Sequence, residues 1–176
     1  MKKVMAFNQV AEFLAGEMTG NVWYMMLVGC EGSGKTTLSK KLKKEHGSQR
    51  VSIDRIFKKN PLLQFYPENL HDEYIRKLRS KLSKRVNVVD DGKKLSQSER
   101  QRALRVVRKF PGVHIAIVHM DIPLETCVAW NAKRKDSAPR WVVDYSRRNL
   151  ERPSKDEGRV IRLRPVGDWK YEVIEE

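Results

Sequence analysis

Gly29-Cys30-Glu31-Gly32-Ser33-Gly34-Lys35-Thr36 satisfies the pattern G-x-x-x-x-G-K-[ST] at every fixed position. Its flanks suit the pattern too. Residues 23–28 (Trp-Tyr-Met-Met-Leu-Val) are an apolar run of strand length, and residues 37–44 continue without Gly or Pro, with Leu38 and Leu42 at helical spacing. A strand that turns through glycines into a helix aims backbone N–H groups inward, because no Cβ blocks close approach. The helix dipole reinforces that field, so the loop is a cradle for polyphosphate. The expected nucleotide-binding set is Gly29, Glu31, Gly32, Ser33, Gly34, Lys35, Thr36 and Thr37. Within it, Lys35 is expected to reach the β- and γ-phosphates of the nucleotide and the Thr36 hydroxyl to ligate Mg²⁺.

Working outward, 176 residues suit a single domain, 1–176, with enough chain to bury a core. A hydrophobic share of 40% is ordinary, whereas 33% charged residues and a formal charge of +14 are not. Such a field favours polyanionic partners, nucleic acid before an acidic membrane surface. Two cysteines, Cys30 and Cys127, imply neither a disulfide framework nor a metal cluster. No apolar stretch has membrane-spanning length. Met1-Lys2-Lys3 followed by Val4-Met5-Ala6-Phe7 has the start of a secretion signal, but Asn8, Gln9 and Glu12 interrupt it. The expected location is the cytoplasm, or a host's cytoplasm if the chain is phage-encoded.

The periodicity predicts a short amphipathic helix over 4–15, within an N-terminal helical extension of residues 1–20, and then the strand before the glycine loop. A second strand over 50–53 ends at Asp54. Residues 55–69 hold two prolines and no sustained period, and read as a loop. A helix follows over 70–83, then a third strand over 86–89 ending in Asp90-Asp91-Gly92. Ser96-Gln97-Ser98-Glu99 has capping-box spacing before a helix that stops at Pro111-Gly112. Residues 113–120 are the most continuous strand-like run, suited to a strand covered on both faces. Pro123 starts a helix to Lys135, Ala138-Pro139 breaks it, and helix resumes over 141–150. Residues 159–164 and 169–173 form a hairpin around Pro165-Val166-Gly167-Asp168. The fold class is therefore α/β, a P-loop NTPase/kinase fold. Its mainly parallel sheet is flanked by helices, with a small helical lid at about 130–150 and a C-terminal β-hairpin.

In such sheets ligands collect at the carboxyl ends of strands, where Asp54 and Asp90 both stand. One suits Mg²⁺, directly or through water; the other suits the proton of an attacking hydroxyl. Asp91 rivals Asp90, and strand-end turns are the ordinary alternative use of each. The basic segment around Lys133-Arg134-Lys135 and Arg140 resembles a lid that carries charge to a transferring phosphoryl group, with Arg134 foremost and Lys133 or Arg140 as alternates. A solvated cationic helix end is the competing reading.

The order of these pieces resembles the polynucleotide 5′-hydroxyl kinase group of P-loop phosphotransferases, with zeta-toxin-like kinases more distant. The matching segments are Gly32-Ser33-Gly34-Lys35-Thr36, Ser52-Ile53-Asp54-Arg55, Val88-Val89-Asp90-Asp91, Ser98-Glu99-Arg100, Pro123-Leu124-Glu125, Asn131-Ala132-Lys133-Arg134 and Pro153-Ser154-Lys155-Asp156-Glu157-Gly158. The resemblance implies Lys35 and Thr36 as ATP·Mg²⁺ ligands, Asp54 as general base and Arg134 as lid arginine. The chain departs from that group at Phe57 and Trp130, where arginine is usual, and at Gly92-Lys93-Lys94, where an Asn is usual. The implied acceptor is a nucleic-acid 5′-OH end, DNA or RNA. Lys58, Lys59, Lys93, Lys94 and Arg100, with Arg147, Arg148 and Arg152, would line its groove. Trp130, Trp141 and Phe57 suit core packing, with base stacking as the alternative. Two other functions fit the residues: a kinase for a small hydroxyl compound such as a nucleoside or sugar nucleotide, and a non-catalytic or hydrolytic nucleotide-binding module on nucleic acid.

Overall fold

The computed structural model describes residues 2–167 and 169–176, apart from the Gln64 side chain. Its elements run β1 (Lys2–Ala6), α1 (Phe7–Glu17), β2 (Val22–Val28), α2 (Lys35–His46), β3 (Gln49–Val51), α3 (Ile53–Lys59), α4 (Pro67–Ser83), β4 (Val88–Asp90), α5 (Gln97–Val107), β5 (Val113–Met120), α6 (Leu124–Ala132), α7 (Arg140–Arg148), β6 (Arg159–Pro165) and β7 (Lys170–Glu175). Short 3-10 turns occupy Pro61–Phe65 and Lys155–Glu157.

Seven strands form one sheet in the order β1-β7-β6-β5-β2-β4-β3. The five from β6 to β3 are parallel; β7 and β1 are antiparallel additions. β2 is central, and its side chains alternate between two cores as strand geometry requires. Trp23, Met25 and Leu27 pack with Leu14, Leu38, Leu42 and Val143, while Tyr24, Met26 and Val28 pack with Tyr74, Leu78, Leu82 and Leu104. Burial on both faces explains why this strand reads as an unbroken apolar run. Each such side chain contributes about 1.5–3 kcal/mol on leaving water. The parallel arrangement puts the ends of β2, β4 and β3 side by side, and with them the glycine loop, Asp90 and Asp54.

Several elements differ from the sequence expectation. Residues 2–6 are a strand, paired with β7 from Lys2↔Ile174 to Ala6↔Lys170, and the helix starts only at Phe7. The helical period of Val4 and Phe7 misleads because Val4 is 62% exposed and takes no place in a helix face. The expected loop over 55–69 is instead α3, a 3-10 turn and the start of α4. Pro61 and Pro67 sit in first turns, where the missing N–H has no helical partner to lose. The strand expected over 50–53 stops at Val51, so Asp54 lies in the first turn of α3. The capping box forms as expected: the Ser96 hydroxyl accepts from Glu99 N at 3.2 Å, and the Glu99 carboxylate accepts from Ser96 N at 3.0 Å. β6 and β7 make the expected hairpin; Asp168 of its turn and Met1 lie outside the described residues.

Candidate functional site

The glycine loop joins β2 to α2 and is closely packed. Gly32 has φ +83°, and a Cβ there would stand 2.3 Å from the Cys127 carbonyl oxygen and 3.0 Å from Asn131 Cβ. This glycine is therefore demanded twice, by its own left-handed backbone and by α6 pressed against it. Gly34 begins α2 with φ 92°. Lys35 is 9% exposed; its ammonium donates to the Gly29 and Cys30 carbonyls, each at 2.8 Å, and to Ser33 Oγ at 3.4 Å. Burial lowers its pKa, with Glu31 the largest of the acidic neighbours that oppose the shift. Thr36 and Thr37 are exposed on the first turn of α2. An inward lysine, two left-handed glycines and open hydroxyls at a helix start fit a nucleotide polyphosphate.

The expected lid lies over this loop. Asn131, buried at the end of α6, fastens both sides of the following turn: its Nδ2 donates to the Ala138 carbonyl at 2.7 Å, and Ala138 N donates to its Oδ1 at 3.1 Å. Within that turn Arg134 Nη1 donates to Glu31 Oε1 of the glycine loop at 2.6 Å, and Arg134 Nη2 lies 3.5 Å from Asp136. Lys58 of α3 pairs with Asp136, and Glu31 N donates to Ser146 Oγ of α7 at 2.8 Å. Arg134 thus reaches the phosphate cradle, whereas Arg140 turns away to Glu125 at 2.8 Å.

Asp54 opens on a recess of about 440 Å³ whose walls include Ile53, Lys93, Leu95, Tyr145 and Glu151. Solvent reaches its carboxylate, but protein crowds it on the remaining sides. That crowding raises its pKa above the ordinary carboxylate value, against the opposing pull of Lys94, the Lys93 amide and Lys35. Lys93 N donates to Oδ2 at 3.3 Å.

Asp90 is wholly buried and fully occupied. Its Oδ2 accepts from Tyr24 Oη at 2.6 Å and Tyr74 Oη at 2.5 Å, and its Oδ1 accepts from Lys94 Nζ at 2.7 Å and Gly92 N at 3.2 Å. Burial and the adjacent carboxylate push both tyrosines well above their usual range. Asp91 Oδ2 accepts from Ser39 Oγ at 2.7 Å and Arg50 at 2.5 Å, while Oδ1 has no partner among the described residues. Tyr24, Tyr74, Ser39 and Arg50 carry no sequence signal for these contacts, which join elements far apart in the chain.

Four cations expected in an acceptor groove are elsewhere, Arg147 and Arg152 among them, in a recess with His119 and Arg162. Lys94 is spent on Asp90, and Arg100, 0% exposed, is paired with Glu157. Lys93 remains exposed, with Nζ 5.2 Å from the centre of the Tyr145 ring. Trp141, at 68% exposure, and Phe57, at 36%, are not core residues; Trp130 is half-buried and stacks on Trp169 with centroids 5.7 Å apart.

Among solved structures, the chain resembles one in a Pnkp1/Rnl/Hen1 RNA repair complex (TM-score 0.62, 22% identity, covering 74% of this chain and 44% of that one). It also resembles a sugar kinase from Janibacter sp. HTCC2649 (TM-score 0.59, 21% identity, covering 81% and 85%). A third similar structure is AvrRxo1-ORF1:-ORF2 with ATP (TM-score 0.61, 20% identity, covering 96% and 62%). At these identities the likeness is one of fold, and this chain spans less than half of the RNA-repair chain. No curated protein matches the sequence. The AAA domain family matches residues 25–153, a span that holds the glycine loop, Asp54, Asp90, Asp91 and Arg134. The chain belongs to that AAA domain family, and its fold is that of a P-loop kinase.

Proposed function

We propose that the chain is an ATP-dependent phosphotransferase that phosphorylates the 5′-hydroxyl end of a nucleic acid. The observation that carries this is Asp54: a carboxylate of raised pKa at the mouth of a recess, close enough to Lys35 to feel its charge. When bound, ATP supplies the transferable phosphoryl group and Mg²⁺ offsets its charge. Lys35 and the loop amides hold the phosphates, and Arg134 moves from Glu31 to the γ-phosphate. Asp54 orients the acceptor hydroxyl and takes its proton. Thr36 is the first protein ligand proposed for Mg²⁺. Of the two neighbouring carboxylates, Asp91 has the oxygen free to join it, because both oxygens of Asp90 are engaged.

Lys93 is set among Asp54, Glu99 and Glu151 on the recess walls, so the lining repels a terminal phosphate and admits a neutral sugar hydroxyl. The +14 charge of the chain supports a strand lying beyond that end. The acidic lining also favours a second reading, a small polyhydroxyl acceptor such as a sugar or nucleoside. Transfer from γ-labelled ATP to a 5′-OH oligonucleotide tests the first. Label on a nucleoside or sugar but never on the oligomer establishes the second. For a strand, log affinity falls with log salt by about 0.7 per phosphate contacted in single strands.

A further inference from the structure

Next to the glycine loop, the carboxyl ends of β5 and β6 and the end of α7 enclose a recess of about 220 Å³, with His119 level with Val28, the residue before the loop. Its walls carry His119, Asp121, Arg147, Arg152, Arg162 and Arg164. Strand alternation builds the cluster. Val118, Met120, Ile161 and Leu163 enter the hydrophobic core, so His119, Arg162 and Arg164 project from the opposite face of the sheet. The second core claims Ile117 of β5 but no residue beyond it, which leaves this end of that face to polar groups.

Four guanidiniums meet two carboxylates. Arg164 lies 3.3 Å from Asp121; Arg152, at 2.6 Å, and Arg162 both hold Glu176; Arg147 is exposed on α7. The guanidiniums outnumber the side-chain carboxylates they meet, so the cluster favours an anion. Two buried nitrogens in this cluster have no partner among the described residues: Nδ1 of His119, a residue 5% exposed, and Nε of Arg162. Buried polar atoms are rarely left so, and both belong to groups that bind oxyanions. Burial pushes the His119 imidazole down to about 4, and the arginines push the same way while Asp121 opposes them. The ring is therefore neutral at physiological pH and adds no charge of its own.

We propose that this recess is a second anion site, adjoining the P-loop but built from other residues, that binds a phosphate group through the forks of Arg147, Arg152 and Arg162 and the ring of His119. In the ligand's absence the Glu176 carboxylate holds two of those arginines in place. A guanidinium matches two phosphate oxygens at once, as it matches a carboxylate, so one can exchange for the other. The site stands whether the transfer reaction ends on a strand or on a small molecule.

The test reads the His119 ring by NMR, assigned with His119→Gln, in protein saturated with Mg²⁺ and a non-hydrolysable ATP analogue. Inorganic phosphate is expected to move the ring resonances saturably. Arg147→Glu, a change at an exposed position, should weaken that response about tenfold or more in protein kept saturated with the nucleotide analogue. Resonances that do not respond, or that respond equally in the Arg147→Glu protein, overturn the site. A 5′-OH oligonucleotide that binds there more tightly than inorganic phosphate assigns the phosphate to a strand. Equal or weaker binding assigns it to free phosphate or a small ester.

Discussion

Removing Arg100 tests whether a basic residue near the site is a ligand or a beam. Its side chain is wholly buried and holds the equally buried Glu157 through Nε at 2.6 Å and Nη2 at 2.9 Å. Nη1 donates to the Leu95 and Glu151 carbonyls at 2.9 and 3.0 Å, tying the start of α5 to the segment before β6. Arg100→Ala leaves a carboxylate in the interior without its counter-charge. Breaking one side of a buried pair costs about 3–5 kcal/mol. The two abandoned carbonyls belong to the same network and do not add independently, so about 4 kcal/mol is the working figure. At about 2–4 °C per kcal/mol for a domain of this size, the melting temperature falls by roughly 8–16 °C. Urea and thermal unfolding followed by circular dichroism measure both quantities. The double change Arg100→Met with Glu157→Met, which removes both charges, should recover at least half of the loss, because well-packed apolar residues replace buried pairs at little cost. A loss under about 1 kcal/mol, the range of exposed pairs, would refute the reasoning. So would a double variant no more stable than the single.

Asp54→Asn should abolish transfer and leave ATP binding nearly intact; near-normal turnover removes Asp54 as the base. Because its pKa is raised in the fold, the acid limb of kcat/KM should lie above the ordinary carboxylate value of about 3.9. The same raised value means that ionised Asp54 disfavours the folded state as pH climbs through its ordinary range. Asp54→Asn should therefore be more stable than the parent at neutral pH and no more stable below that range, which urea unfolding at two pH values decides. Arg134→Ala should lower kcat, whereas Glu31→Gln, which releases a partly exposed arginine, should change stability by less than about 1 kcal/mol and leave turnover equal or higher. Gly32→Ala forces a Cβ onto the Cys127 carbonyl at a left-handed position. It should cost at least about 1–2 kcal/mol from the backbone alone and weaken ATP binding in titration calorimetry.

Legibility followed the range of the interaction. The glycine loop, the Ser96–Glu99 cap and the β5 run were readable because each is specified by neighbours within a few residues. The strand at Lys2–Ala6 was not, since its partner is β7 at the other end of the chain. Short helices at Ile53–Lys59 and Pro61–Phe65 escaped for a different reason: neither is long enough to display a period. At the site, the sequence put Asp90 forward with Asp91 as its rival, and the contacts reverse that order. Two tyrosines and a lysine occupy both oxygens of the first, and Ser39 and Arg50 leave one oxygen of the second free.

The phosphate cradle, the parallel α/β class and the carboxylates near strand ends were determined by the sequence itself, because glycine conformation, strand burial and capping are local properties of adjacent residues. Only the tertiary structure decided what each charge does. Arg134 faces the glycine loop, Arg100 is a buried tie, and Arg147, Arg152, Arg162 and Arg164 ring a recess of their own. A guanidinium is the same group in all these places. Its role is set by the dielectric around it and the carboxylate it meets, and both depend on which distant segments the fold brings together.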